Sequence, residues 1–184
     1  MKQSRAGAAW VALSLLLAGC AEYEFYRPNM GPVGERHRPA LEAVWAQSEI
    51  GYSQLWRIYV RATDPDADLD KVWVTFSRYG GTYPGEFLIL PAAQRRQTNG
   101  YVQVWVRMRG ESGLREPFLP ARAQVRVEDR AGNMSDARAF EFTVVNGMAP
   151  DKGQPPDGFA REAKLGELRF TIERLGAGNG DRSQ

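Results

Sequence analysis

Apolar and polar residues alternate with a period of two in five short runs along the middle of the chain, and two weaker segments, Leu41–Ala46 and Glu86–Leu90, complete a set of seven. In Leu55–Ala62, for example, Trp56, Ile58 and Val60 alternate with charged and polar neighbours, as in a half-buried strand. The predicted strands are Leu41–Ala46, Leu55–Ala62, Val72–Ser77, Glu86–Leu90, Tyr101–Met108, Arg122–Glu128 and Ala139–Val144. Turn-forming residues separate these strands, and no long amphipathic helix interrupts them. The pattern therefore predicts an all-β sandwich.

Two stretches carry a family resemblance. Val60–Val74, VRATDPDADLDKVWV, and Val125–Val144, VRVEDRAGNMSDARAFEFTV, resemble the bacterial immunoglobulin-like and fibronectin type III-like modules of exported proteins. In such modules D-x-A-G-N turns the chain between the last two strands. The resemblance implies a single seven-stranded immunoglobulin-like sandwich over 40–146. It implies no particular function, because these modules have many unrelated roles.

After the predicted sandwich, the alternation of apolar and polar residues stops and then resumes. Prolines and glycines in 147–163 predict a linker. In 164–175, Leu168, Phe170 and Ile172 alternate with polar residues, which predicts an extra C-terminal strand or a short helix. Residues 176–184 are predicted to be a disordered tail.

The amino-terminal residues 1–19 have the organisation of an export signal. Lys2 and Arg5 are followed by the apolar run Ala8–Leu17 and then by two small residues. The apolar run is too short to span a hydrocarbon layer of about 30 Å. We therefore expect a removable signal peptide.

Leu17-Ala18-Gly19-Cys20 resembles the lipobox of bacterial lipoproteins. The resemblance implies cleavage before Cys20, a diacylglycerol on its thiol and an acyl chain such as palmitate on the new amino terminus. Lipoproteins of this type that are retained at the inner membrane often have Asp after the lipidated cysteine. This chain has Ala21 there, so the resemblance favours location in the outer membrane, with the domain facing the periplasm. Residues 20–39 then form a tether. The alternative is an ordinary secretory signal followed by a chance cysteine.

Charge and cysteine content exclude some classes of protein. Removing residues 1–19 takes away two of the 24 basic residues and leaves 22 against 22 acidic residues. A neutral mature chain gives no reason to expect a nucleic-acid partner. Because Cys20 is the only cysteine, no disulfide forms within the chain.

Acidic residues alternate in the stretch Asp64–Asp70, between the second and third predicted strands. Carboxylates so close together repel one another unless a cation or hydrogen bonds offset their charge, and calcium prefers such oxygen ligands. The loop between the last two strands lies at the same end of a sandwich. The candidate calcium ligands are Asp64, Asp66, Asp68, Asp70, Asp129 and Asn133. The alternative is an Asp-rich turn whose carboxylates cap backbone amides or pair with Lys71 and Arg130.

Arginines and aromatic residues share the outward face of the second and fifth predicted strands, which are neighbours in this topology. The candidate binding residues are Arg57, Tyr59, Arg61, Tyr101, Trp105 and Arg107. Such a face suits a glycan, through ring stacking, or an envelope protein, through aromatic and arginine anchors. The alternative is cross-strand packing in which arginine stems cover the rings.

The groups needed for catalysis are scarce. His37 is the only histidine, so neither a histidine-based triad nor a multi-histidine metal site can be built. We therefore expect a lipid-anchored, non-catalytic binding or scaffolding protein, with calcium as the one candidate cofactor. A calcium-stabilised or glycan-binding module is the alternative, and an enzyme is the least favoured interpretation.

Overall fold

The strands of the protein form two sheets that pack face to face. The computed structural model describes residues 37–51, 54–78, 81–109, 118–145, 147–150 and 153–173. Its strands are β1 Ala40–Ala46, β2 Glu49–Gly51, β3 Leu55–Thr63, β4 Leu69–Arg78, β5 Gly81–Thr82, β6 Glu86–Ile89, β7 Gln97–Arg109, β8 Phe118–Asp129, β9 Arg138–Val145 and β10 Lys164–Glu173. A single 3₁₀ turn, Ala92–Gln94, joins β6 to β7. Within these ranges no helix is long and apolar enough to cross a membrane.

The strand order defines the class of fold. The first sheet has the order β1-β3-β7-β10, and the second has the order β2-β9-β8-β4 with β5 and β6 both beside β4. Neighbours are antiparallel, except that β10 lies parallel to β7 and β2 parallel to β9. The arrangement is an immunoglobulin-like sandwich, which confirms the predicted fold class. All seven predicted strands are present, and β10 is the predicted C-terminal addition.

The core lies between the inner faces of the two sheets. From the first sheet, Trp56, Ile58 and Val60 are fully buried, as their alternation predicts. The Trp56 ring lies 4.5 Å from the ring of Phe142 in the second sheet, and its Nε1 donates a hydrogen bond of 3.1 Å to the Gln47 backbone oxygen. Burial of each such side chain contributes about 1.5–3 kcal/mol. With no disulfide, this apolar contact is what holds the sheets together.

The last strand completes the core. Phe170 of β10 is buried, and its ring lies edge-on to that of Phe76 in β4 at 4.0 Å. Before β10, residues 153–163, here called the strap, run along the outer face of the first sheet.

Candidate functional site

Three buried carboxylates meet at the end of the sandwich where β4 and β8 pair. Leu69 at the start of β4 lies opposite Asp129 at the end of β8, which brings the preceding and following loops together. One carboxylate oxygen from each of Asp64, Asp68 and Asp129 lies within 4.8 Å of the other two. All three residues are buried, Asp129 completely. The structure thus gathers half of the predicted calcium set into one cluster, here called the acidic cluster.

The carboxylates of the acidic cluster also organise their own loops. Asp64 accepts hydrogen bonds from the backbone N–H groups of Asp66 at 3.0 Å and Asp68 at 3.2 Å. Asp129 accepts from the backbone N–H of Asn133 at 2.8 Å and from its Nδ2 at 2.7 Å. These are the local caps expected of Asp in turns. The same carboxylates therefore cap the backbone of an Asp-rich turn and lie close enough together to bind a cation.

The remaining members of the predicted calcium set are not part of this trio of carboxylates. Asp66 accepts a hydrogen bond of 2.8 Å from the backbone N–H of His37. Asp70 lies 3.7 Å from Lys71 Nζ and 4.0 Å from Arg130 Nε, the ion pairs expected from the turn interpretation. Asn133 joins the acidic cluster only through Asp129.

The acidic cluster carries an electrostatic cost. Burial is the main cause that raises the pKa of Asp64, and a hydrogen bond with the Asp68 side chain raises it further. A proton held between the two carboxyl groups lowers the repulsion, and so does a cation. Calcium takes six to eight oxygens, so the three residues would supply only part of its coordination, with backbone carbonyls and water supplying the remainder.

The predicted arginine–aromatic face is partly covered. β3 and β7 are neighbours as predicted, and Tyr59 lies opposite Tyr101 in the register. Both tyrosines point outward from the sheet, yet Tyr59 is 4% exposed and Tyr101 7%. Phe159 of the strap lies edge-on against Tyr59 at 6.0 Å, and the Arg57 guanidinium lies 4.6 Å above the Tyr101 ring. The two rings are therefore packing partners of the strap and of Arg57, and their faces are not open to a ligand.

The other members of the predicted face have separate surroundings. Arg61 donates from Nε to Glu42 at 2.9 Å and lies 5.9 Å from the centre of the Phe159 ring. Trp105 is half-buried and lies opposite Arg169 of β10. The side chain of Arg107 lies outside the described part of the structure, as do Cys20 and the whole of 1–36. Tyr59 and Tyr101 are covered, so binding through the other members of the predicted face, Arg57, Arg61, Trp105 and Arg107, stays a prediction.

Hydrogen bonds attach the strap to β7. The side-chain amide of Asn99 donates to the Gly158 backbone oxygen at 2.9 Å and accepts from the Ala160 N–H at 2.8 Å. Further along, the backbone N–H of Tyr101 donates to the Ala163 oxygen at 2.8 Å. Gly158 has φ +98°, a conformation that glycine adopts without strain. These hydrogen bonds hold the strap against the outer face of the first sheet, where it forms a wall.

A pocket of about 340 Å³ lies between this wall and the sheet. The sheet contributes Trp45, Arg57 and Tyr59, and the strap contributes Arg161 and Glu162. The remaining lining residues are Gln47, Leu55, Gly153, Gln154 and Pro155. The sequence analysis missed this pocket because proline and glycine in 147–163 indicate a linker. The lone aromatic Phe159 within that stretch was the one signal that part of it packs against the domain.

Comparison with known proteins adds distant likenesses in fold. No protein-family model matches the sequence, and no curated protein matches it. The PKD domain of an M14-like peptidase from a Thermoplasmatales archaeon is 16% identical over 60% of this chain and 98% of that domain, with a TM-score of 0.29. The CARDB domain of a Pyrococcus furiosus protein, solved in complex with di-metal ions, is 14% identical over 66% of this chain and 99% of that domain, with a TM-score of 0.32. Both likenesses are too distant to bear on the function of this chain.

Proposed function

We propose that this chain is a lipid-anchored envelope protein whose immunoglobulin-like domain is a non-catalytic binding module. The observation that carries the binding role is the pocket between the strap and the outer face of the first sheet. Its volume of about 340 Å³ lies within the range of small-ligand pockets, roughly 300–1,000 Å³, and two arginines and a tryptophan line it. Its walls come from paired strands and from a hydrogen-bonded strap, so the site is preformed.

The described residues offer little for catalysis. His37 is exposed and donates its backbone N–H to Asp66, and it is the only histidine of the chain. Asp64 and Asp68, whose carboxyl groups share a hydrogen bond, are 2% and 7% exposed, too buried for a substrate to reach. These observations support a binding role over an enzymatic one.

The lipobox supports anchoring through Cys20. Ala21, in the position that often decides sorting, supports the outer membrane with the domain on the periplasmic side. Sixteen residues, 21–36, separate Cys20 from the first described residue. Fully extended, such a tether reaches roughly 55 Å, which lets the domain bind a partner away from the membrane surface.

Labelling with a palmitate analogue tests the anchor. The full chain is expected to take up the label and to fractionate with outer membranes, whereas Cys20→Ser is expected to lose the label and to leave the outer-membrane fraction. Label on the Cys20→Ser chain, or a soluble unlabelled wild type, would refute lipid anchoring. A labelled chain in inner membranes would refute only the sorting step.

Two tryptophan variants test the binding role. Full-length wild type, Trp45→Ala and Trp105→Ala are immobilised and exposed to solubilised envelope proteins and, separately, to envelope polysaccharide. Trp45 lines the pocket and Trp105 does not, although both lie in the first sheet. Retention is expected to fall about tenfold for Trp45→Ala alone. Equal retention by all three chains would mean that the pocket is not the binding site, and a loss confined to Trp105→Ala would move the site to the predicted β7 face.

A calcium-stabilised module is the second candidate function, and the acidic cluster is the observation that favours it. A ligand that binds only the folded state raises its stability by about 2.7 kcal/mol at one hundred times its Kd. Thermal unfolding of the full chain is therefore expected to shift upward by several degrees in calcium relative to EGTA, with no shift for Asp129→Asn. If calcium and EGTA give the same melting temperature, the cluster is an Asp-rich turn and this candidate is rejected.

A further inference from the structure

The charged side chains that line the pocket sum to one positive charge. Two guanidinium groups, Arg57 and Arg161, face one carboxylate, Glu162, and the two glutamines in the wall are neutral. All three side chains are exposed, so water screens each charge, and a ligand inside the pocket excludes part of that water and strengthens its attraction to the net positive charge. From these charges, and resting on the proposed binding role of the pocket, we infer that it takes a sugar unit bearing a carboxylate.

Arg57 is held in place before any ligand arrives. Its guanidinium stacks on the Tyr101 ring at 4.6 Å, where it gains a cation–π contact. A hydrogen bond with the Tyr59 side chain is the largest cause that raises the pKa of Arg57. A planar cation fixed in this way binds a carboxylate at a lower entropic cost than a free side chain would.

Arg161 is held from the opposite wall. Its Nη1 donates to Gln154 Oε1 at 2.6 Å, and its Nη2 lies 3.3 Å from Asp157 Oδ1. Asp157 is fully exposed, so its carboxylate competes only weakly in water for the arginine charge. The two arginines therefore present fixed positive charge on facing walls of one pocket.

The apolar part of the pocket suits the face of a sugar ring. Trp45 is half-buried beside Tyr59, with ring centres 5.7 Å apart, and Leu55 is 48% exposed. Such a surface packs against the C–H groups of a pyranose, and the side-chain N–H groups of Gln154 are donors for its hydroxyl groups.

A peptide strand fits this place less well. Peptides that bind to sandwiches by strand addition need a free backbone edge. β3, at the base of the pocket, pairs with β1 on one side and with β7 on the other, so its backbone groups are already bonded, and β1, at the edge of the sheet, lines the pocket through the Trp45 side chain. The pocket therefore offers side chains on a sheet face, which favours a compact ligand.

Matched glycosides test the ligand class. Methyl glucuronide and methyl glucoside have the same ring, but the first bears a carboxylate where the second bears a hydroxymethyl group. N-acetylmuramic acid carries its carboxylate on a side branch. Binding to the full chain is measured by calorimetry at two salt concentrations. At least one acidic sugar is expected to bind tenfold or more tightly than the glucoside and to weaken with salt. Which acid binds distinguishes a uronic-acid polymer from cell-wall glycan as the source.

Charge variants of opposite sign separate ligand binding from damage to the strap. Arg161→Gln is expected to weaken the acidic sugar about tenfold, whereas Glu162→Gln is expected to strengthen it several-fold. Arg122→Gln, an exposed arginine on the other sheet, is the matched control and is expected to change nothing. Equal affinity for acidic and neutral glycosides, or unchanged affinity in Glu162→Gln, overturns the inference. If neither acid binds but Trp45-dependent retention of envelope material persists, the ligand class is wrong and the binding role stands.

Discussion

Asn99 donates a hydrogen bond of 2.9 Å to the backbone oxygen of Gly158, a residue 59 positions away in the sequence. The same side chain accepts from the N–H of Ala160 at 2.8 Å. Asn99 thus uses both ends of its amide to dock the strap on β7, and the strap in turn forms one wall of the pocket. A residue that touches no ligand therefore positions the candidate site.

Asn99→Ala is expected to destabilise the chain by about 1–2 kcal/mol, because two hydrogen bonds of roughly 1 kcal/mol each are lost. Amide hydrogen exchange at Ala160 is expected to accelerate more than exchange in β3, because the strap opens locally. Gln103→Ala, which removes an exposed hydrogen bond from the same strand, is the control and is expected to cost less than about 0.5 kcal/mol. Unchanged protection at Ala160 would contradict the docking role of Asn99.

Gly100→Ala is expected to cost about 1–3 kcal/mol through overpacking. A Cβ at this position would lie 2.2 Å from the Ala163 backbone oxygen, where the strap meets β7. Gly166→Ala is the matched control, because its Cβ would meet nothing closer than 3.5 Å. Urea unfolding of the two variants measures the difference, and equal midpoints would show that the strap does not approach β7 as closely as described.

The stability of the chain is expected to depend on pH through Asp64. Its pKa is raised above 3.8 in the folded state, so the folded protein binds this proton more tightly than the unfolded chain does. Protonated Asp64 therefore contributes stability that is fully present below about pH 3.8. This stability is lost as the pH rises from about 3.8 through the folded pKa, and the cost of the buried charge persists above that pKa.

Urea unfolding across the mildly acidic range measures this effect. Asp64→Asn removes the titrating group, so its stability should fall less steeply with rising pH than that of the wild type. Asp136→Asn, at a carboxylate that is 98% exposed, should keep the wild-type slope. A slope in Asp64→Asn equal to that of the wild type would show that Asp64 does not hold the proton.

Phe170→Ala is expected to destabilise the chain by about 3–5 kcal/mol, because its buried ring packs edge-on against Phe76 across the core. Thr171→Ala, at the next and exposed position of β10, is the control and is expected to change stability by less than about 0.5 kcal/mol. A cost below 1 kcal/mol for Phe170→Ala would mean that β10 does not complete the core.

For the acidic loops, the sequence pattern predicts the position of the loops but not the contacts between their carboxylates. The sequence predicts that the Asp-rich stretch and Asp129 share one end of the sandwich, because both loops follow from the strand order, and the structure places them there. It does not predict which carboxylates meet. Alternation by two applies to extended strands, whereas this stretch turns at Ala67, with φ 59°, and brings Asp64 and Asp68 together instead.

The sequence by itself determined the strands, the inward faces and the sandwich. Residues such as Trp56 and Val60 alternate locally, and a period of two has one physical solution, a sheet with one buried face. Only the tertiary structure decided which outward residues are accessible. Tyr59 and Tyr101 are outward in any strand of this register, yet they are buried because Phe159 and Ala163 return to them from about sixty to one hundred residues further along the chain. The alternation of residues within a strand cannot predict this packing, because it depends on long-range contacts that form only when the sheet already exists.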